Sequence, residues 1–219
     1  MQADQSDDRI LPPLVLIGGG GHANVVADIL STLRAFRLVG YVAQNAGPPL
    51  LEKIPCLGTD DCLSRLRGEG VQHAFVAVGH NATRVRLSRL LAAMDFKMPS
   101  VISTGAIVSA MARIGQGVAV MPGAVINACA TIDDFAIVNT RASVDHDSVV
   151  GMGAHVAPGV SVCGNVTIGE LALVGAGAVL IPGVSVGCRA KVGAGAVVIH
   201  DVPADATAVG VPARVVQQR

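Results

Sequence analysis

Two hydrophobic periods divide the chain. From Val101 onward, apolar residues recur at every sixth position. Cut into hexads from that residue (VISTGA IVSAMA RIGQGV … KVGAGA VVIHDV), the second position is aliphatic in 17 of 17 units, Ile102 through Val198. The sixth position is always Ala, Val or Ser. In a chain that is 51% hydrophobic, chance would produce one such column with a probability on the order of 10⁻⁵, so the repeat is real. An unbroken six-residue period predicts a parallel β-helix in which each hexad makes one flat side. Three sides close a coil of about 18 residues, and residues one coil apart stack. The aliphatic position fills the prism; the small one lets the chain turn the corner.

Before the hexads the period differs. "LVLIGGGGH" reads as a buried strand running into a glycine turn. "HANVVADILSTLRAF" has Val25, Val26, Ile29, Leu30 and Leu33 at helical spacing. "RLVGYV" and "HAFVAVG" are further strands, and "NATRVRLSRLLAAM" a further helix. Strands alternating with helices predict a small parallel, Rossmann-like sheet. The expected order is a flexible tail over 1–13, an α/β domain over 14–99, a β-helix over 100–202 and a C-terminal tail over 203–219.

Composition narrows the function classes. Four Phe, one Tyr and no Trp among 219 residues leave the core to Val, Ile, Leu and Ala, which suits a narrow, regular interior. The formal net charge of zero gives no general attraction to nucleic acid or to an anionic membrane. No apolar run reaches the ~18 residues of a membrane-spanning helix. The acidic start "MQADQSDDRILPP" lacks the order of a signal peptide. Five scattered cysteines, with no CxxC and no zinc-finger spacing, fit reduced thiols in the cytoplasm and no metal.

Three stretches carry candidate chemistry. In "GGGGH", Gly18, Gly20 and Ala23 fit the dinucleotide fingerprint, with a helix N-terminus behind it that favours phosphate. An NAD site would also need an acidic residue at the end of the second strand, where Ala43 and Gln44 stand. In "VGHNATR", Gly79, His80, Asn81 and Arg84 follow a strand, where open α/β sheets bind ligands. The alternative there is a helix cap by Asn81 with Arg84 in solvent. In "SVDHDS", His146 lies two places after the inward Val144, so it faces outward. The frame excludes a core histidine and leaves a surface histidine or a general base. Asp145, by strand alternation, faces differently and reads as a solvated charge.

The hexads, with "GVPAR" near the end, resemble the left-handed β-helix acyltransferases. The left hand comes from that resemblance, since it runs against the usual right-handed crossover. "GGGGHANVVADIL" and "VNTRASVDHD" look like the bacterial sugar acetyltransferases that join a nucleotide-sugar-binding α/β domain to such a helix. Sialic-acid O-acetyltransferases and N-acetyltransferases of 4-amino-4,6-dideoxy sugars belong to that group. The resemblance implies acetyl-CoA as acetyl donor, a homotrimer, and a nucleotide-linked amino sugar as acceptor. GDP-perosamine is the best specific acceptor, because the acidic pair that many relatives use on uridine is absent at Ala43 and Gln44. The alternatives are a UDP-linked 4-amino sugar, or sialic acid as an O-acceptor.

By resemblance, His146 is the base, Asp147 its orienting carboxylate, and the Gly164 amide, one coil on, the oxyanion donor. His155, Gly164, Gly175, Ala176 and Ala194 would lie along the CoA groove. Gly19, Gly20, Gly21 and His22 would cradle the diphosphate, with Ala43, Gln44, Gly79, His80, Asn81 and Arg84 around the rest of the acceptor. Three other readings compete. A γ-class carbonic anhydrase would need three histidine ligands, and beside His146 and His155 the coils offer only the distant His200. A ping-pong acetyl-cysteine route would use Cys163. A pure scaffold would have no reason to combine His146, Asp147 and Gly164.

Overall fold

The computed structural model describes residues 11–45 and 47–216. The tail expected over 1–13 lies outside the described residues as far as residue 10, and Pro13 already opens the first strand. The chain forms two compact units, divided between Val101 and Ile102.

The first unit is the expected α/β domain. β1 (Pro13–Ile17), β2 (Arg37–Val42), β3 (Cys56–Gly58) and β4 (His73–Val76) form one parallel sheet in the order β3-β2-β1-β4. α1 (Gly21–Leu33) follows β1, α2 (Leu63–Gly68) follows β3, and α3 (Asn81–Ala93) follows β4. Leu14, Val15 and Leu16 are fully buried, and α1 packs inward through Ala23, Val26, Ala27, Ile29 and Leu30. The apolar residues of β1 form a continuous run because both faces of a parallel sheet are covered.

The second unit is the parallel β-helix that the hexads imply, with the left hand that the resemblance adds. Each hexad contributes a two-residue strand, and the strands form three faces of five, eight and six members. Register repeats at 18 residues: Ile132 pairs with Val150, Val150 with Ile168, and Ile168 with Val186. Second-position side chains from Val120 to Val198 fill the prism, and the sixth-position residues are buried beside them. The small residue is therefore an inward packing residue just after the corner. The corner itself is a two-residue turn made by the fourth and fifth positions.

That turn imposes a backbone rule invisible to hydrophobicity. In fourteen consecutive hexads, from Gly117 to Gly195, the fifth residue has φ between 56° and 78°. Half of these residues are not glycine: Cys129, Phe135, Arg141, Asp147, Asn165, Leu171 and Arg189. A non-glycine residue in the left-handed region costs on the order of 1–3 kcal/mol, so burial and the inter-coil ladder must outweigh that cost at each corner.

The hexad frame ends earlier than the helix does. Val202 pairs with Val186 and Thr207 with Lys191, both 16 residues apart, so the last coil is two residues short. The tail expected from residue 203 is not detached. Thr207–Val209 continues a face, Ala208 is buried against the core, and Arg214–Val216 pairs antiparallel to that strand. Arg189 donates two 2.6 Å hydrogen bonds to the Asp205 carboxylate, linking consecutive coils.

Inward and outward positions should differ sharply in energetic weight. Ile168→Ala, fully buried, is expected to cost about 2–5 kcal/mol of unfolding free energy. Thr167→Ala, exposed and one residue earlier, should cost under about 1 kcal/mol. Denaturant midpoints for the two variants check this.

Candidate active site

In the α/β unit, β1 ends in a glycine turn for two distinct reasons. Gly18 has φ +117°, and a Cβ there would lie 2.8 Å from the Ala77 carbonyl oxygen. A Cβ at Gly19 would strike the Tyr41 ring at 2.6 Å. These two glycines let the chain pass, whereas Gly20 and Gly21 face open space. Gly20 is the N-cap of α1; no side chain caps that helix, and no acidic residue stands in its first turn. The turn therefore offers backbone N–H groups and the positive end of a dipole. His22 sits in that first turn with Nε2 buried and without a hydrogen-bond partner among the described residues. Burial first, and the Arg84 charge second, lower its pKa to about 4, so it is neutral at pH 7.

A cavity of about 430 Å³ opens across the C-terminal ends of the strands. Gly19, Ala43 and Gln44, all singled out in the sequence, line it. Asp60, Thr83 and Arg86 line it too, and sequence reasoning passed over all three. They sit in or beside short turns and on a helix flank, where spacing alone carries no signal. Gly79, His80, Asn81 and Arg84 are not part of its lining.

The last three have local partners. His80 is the N-cap of α3, its Nδ1 accepting the Thr83 N–H at 3.3 Å; Asn81, expected as the cap, is the first helical residue. Arg84 is not in solvent: it is 1% exposed. Its guanidinium donates to the Val78 and Gly79 carbonyls and to Asn81 Oδ1, each at 3.0 Å. Burial lowers its pKa to about 10, still charged at neutral pH. Arg84 braces the β4–α3 turn.

In the β-helix unit, His146 and Asp147 are the two corner residues between the strands Ser143–Val144 and Val149–Val150. The corner throws the imidazole outward, and its ring is half exposed. Asp147, at φ 58°, turns back so that its Oδ2 lies 2.9 Å from His146 Nδ1. Asp145 is not merely a solvated charge. Its Oδ1 accepts the His146 backbone N–H at 2.8 Å and Asn127 Nδ2, one coil earlier, at 2.8 Å. The hydrogen bond to Asp147, then the charge of Asp145, raise the His146 pKa above its ordinary 6.5. The Asn127 bond and the His146 N–H lower that of Asp145.

Gly164 stacks one coil beyond His146. A Cβ at Gly164 would stand 2.6 Å from His146 Cε1 and 2.7 Å from Nε2, so the ring lies against the glycine backbone. The strand beginning at His155 is on a neighbouring face, and Asn139 Nδ2 lies 3.0 Å from His155 Nε2. Ala176 and Ala194 form an exposed small-residue step, joined by the Gly195 N–H donating to Ala176 O at 2.8 Å. Gly175 has a packing reason of its own: a Cβ there would meet the Ala194 nitrogen at 2.6 Å.

Comparison with known proteins gives the family. A profile of the PglD N-terminal domain family matches residues 13–91. PerB from Caulobacter crescentus, solved with CoA and GDP-perosamine, is 41% identical, with a TM-score of 0.90, covering 94% of this chain and 97% of its own. The chain belongs to the nucleotide-sugar N-acetyltransferases. The acetyltransferase domain of PglB from Neisseria gonorrhoeae, solved with acetyl coenzyme A, is similar to this acetyltransferase at 35% identity and a TM-score of 0.88. That match covers 94% of this chain and all of the PglB domain. WeeI from Acinetobacter baumannii follows at 26% identity and a TM-score of 0.83, over 93% and 99% of the two chains. No curated protein sequence matches the acetyltransferase.

The contact between ring and glycine leaves no room for a methyl group. Gly164→Ala should displace the His146 imidazole and lower kcat at least about tenfold. The circular dichroism spectrum should stay that of the parent; steady-state kinetics beside the spectra check this.

Proposed function

We propose that this acetyltransferase moves the acetyl group of acetyl-CoA onto the 4-amino group of GDP-perosamine, with His146 as general base. The observation that carries the reading is the half-exposed His146 ring, tied through Nδ1 to Asp147 and lying against the Gly164 backbone. With Nδ1–H donated to the carboxylate, Nε2 is the free, basic nitrogen. It takes the proton that the amine loses as it attacks the thioester carbonyl. Asp147 holds the tautomer and stabilises the imidazolium. Asp145 holds the backbone from which the ring projects and adds negative charge nearby. As the tetrahedral centre forms, the Gly164 N–H donates to its oxyanion, and the thiolate of CoA leaves.

On the acceptor side, the glycine turn and the uncapped N-terminus of α1 suit a diphosphate. The nucleoside occupies the cavity lined by Ala43, Gln44, Asp60 and Arg86. Guanine offers a carboxylate two adjacent donors, N1–H and the 2-amino group, and offers a guanidinium its O6 and N7 acceptors. Uracil presents one donor flanked by two carbonyls, which a carboxylate repels. Asp60 and Arg86 on one cavity therefore favour guanine, in the absence of the acidic pair expected for uridine. The exposed step at Ala176 and Ala194 leaves a smooth path for a pantetheine arm along a partner β-helix, in a C₃ homotrimer working in the cytoplasm.

His146→Ala is expected to reduce kcat by roughly 10²–10⁴ with the fold intact; unchanged thiol release would remove the base assignment. The same assay with GDP- and UDP-linked 4-amino sugars and sialic acid tests the acceptor, and GDP-perosamine should lead.

Turnover also has a pH signature. A base works deprotonated, so kcat should fall as pH drops through the His146 pKa, which lies above 6.5. Asp147→Asn removes the largest cause of that elevation, so the acid limb should move to lower pH. A limb that stays in place in the Asp147→Asn profile would rule out Asp147 as the partner.

A further inference from the structure

Among the seventeen sixth positions of the hexads, sixteen hold Ala or Val and one holds Ser: Ser148, directly after the His146–Asp147 corner. It is fully buried. Its hydroxyl donates to the Cys163 carbonyl at 2.9 Å and accepts the Val166 N–H at 3.1 Å, and it lies 3.4 Å from the His146 carbonyl oxygen. Cys163 to Val166 is the corner that carries Gly164. Most sister corners close by a direct bond from the sixth-position N–H to the third-position carbonyl. Examples are Ala154 to Gly151 at 3.0 Å, Ala172 to Gly169 at 3.2 Å and Ala190 to Gly187 at 3.1 Å. In the Gly164 corner the Ser148 hydroxyl is interposed, and no direct Val166–Cys163 bond forms.

A buried hydroxyl gains nothing from an apolar prism unless it is hydrogen-bonded. Most sister corners satisfy their own backbone, but the Ile181–Val184 corner, one coil on, also lacks the direct bond and has no hydroxyl in it. At the Gly164 corner the Ser148 hydroxyl stands where that bond would run and holds both of its groups. It ties together the one corner whose glycine lies against the imidazole.

We infer that Ser148 is a positioning residue for acetyl transfer. Its hydroxyl, wedged into the Cys163–Val166 corner, sets the direction of the Gly164 peptide beside His146. This rests on the proposed roles of His146 and Gly164. The group touches no substrate and acts through the glycine amide. Ser148 also joins the two halves of the site across one coil, since the same side chain follows His146 in sequence and grips Gly164 in space.

The test compares Ser148→Ala and Ser148→Cys with the parent enzyme by acetyl-CoA and GDP-perosamine kinetics, thermal unfolding and crystal structures. With alanine, the Val166 N–H should close directly onto the Cys163 carbonyl and the Gly164 peptide should turn. kcat per folded enzyme should then fall by about 10- to 100-fold. KM for the amino sugar and the position of the acid limb should be unchanged, because the His146–Asp147 pair is untouched. Cysteine, which keeps a weak donor and acceptor at that place, should restore part of the rate. A lower melting temperature with parental kcat in the alanine variant would mean that Ser148 is merely structural, and would overturn the inference. If the parent enzyme itself releases no thiol, the functional reading fails separately, and the crystal structures decide: an unmoved Gly164 peptide in Ser148→Ala overturns the wedge, a turned one supports it.

Discussion

The β-helix depends on one backbone constraint, a left-handed residue at the fifth position of fourteen of its seventeen hexads. At these corners one residue between two flat strands redirects the chain, and a positive φ does so within a two-residue turn. Fourteen successive corners obey this from Gly117 to Gly195. Since the corners come every six residues, equivalent atoms repeat every 18, and each coil hydrogen-bonds the next in the same register. The prism is narrow as a result. Val, Ile, Leu and Ala fill it, with Ser148 the one polar side chain among the inward positions from Val118 to Val198, and aromatics are scarce.

The same constraint builds the site. A corner is where a chain committed to inward packing can expose side chains without unsettling the core. His146 and Asp147 occupy one corner, and the left-handed conformation of Asp147 folds its carboxylate back to the imidazole. Stacking brings Gly164 against the ring with no sequence proximity. Asn127, one coil earlier, reaches Asp145 by the same geometry. Positions 127, 145 and 163 are successive third positions, and 146 and 164 successive fourth positions. The site is read across coils, along a column rather than along the chain.

In the α/β unit the logic is different. Strand ends and helix starts make a rim, and loops of irregular length decide what stands on it. Gly18 and Gly19 are glycines because Ala77 and Tyr41 crowd them, whereas Gly20 leaves the helix N-terminus uncapped. Arg84 looks in sequence like a ligand-binding cation, yet it lies buried, donating to three local acceptors. Arg86, two residues on, faces the cavity instead. A helix turns about 100° per residue, so two positions separate opposite faces.

The sequence by itself determined the division into two units, the prism and its register, and the outward direction of His146. It could do so because a strict period converts position directly into place. The 18-residue coil also stacked Gly164 on His146, while the family resemblance pointed to Asp147 as the partner. Tertiary structure alone decided what breaks the period or lies outside it. The last coil is two residues short, so the hexads gave no warning that Thr207–Val209 still belongs to the prism. Asp145 needed Asn127 from the coil before it, and Ser148 needed the corner of the coil after it, to acquire partners. Asp60 and Arg86 reach one cavity only because the strand order β3-β2-β1-β4 gathers the ends of four separated strands. A periodic pattern reports which way a side chain points; which group it meets depends on contacts between distant segments, and those exist only once the chain has folded.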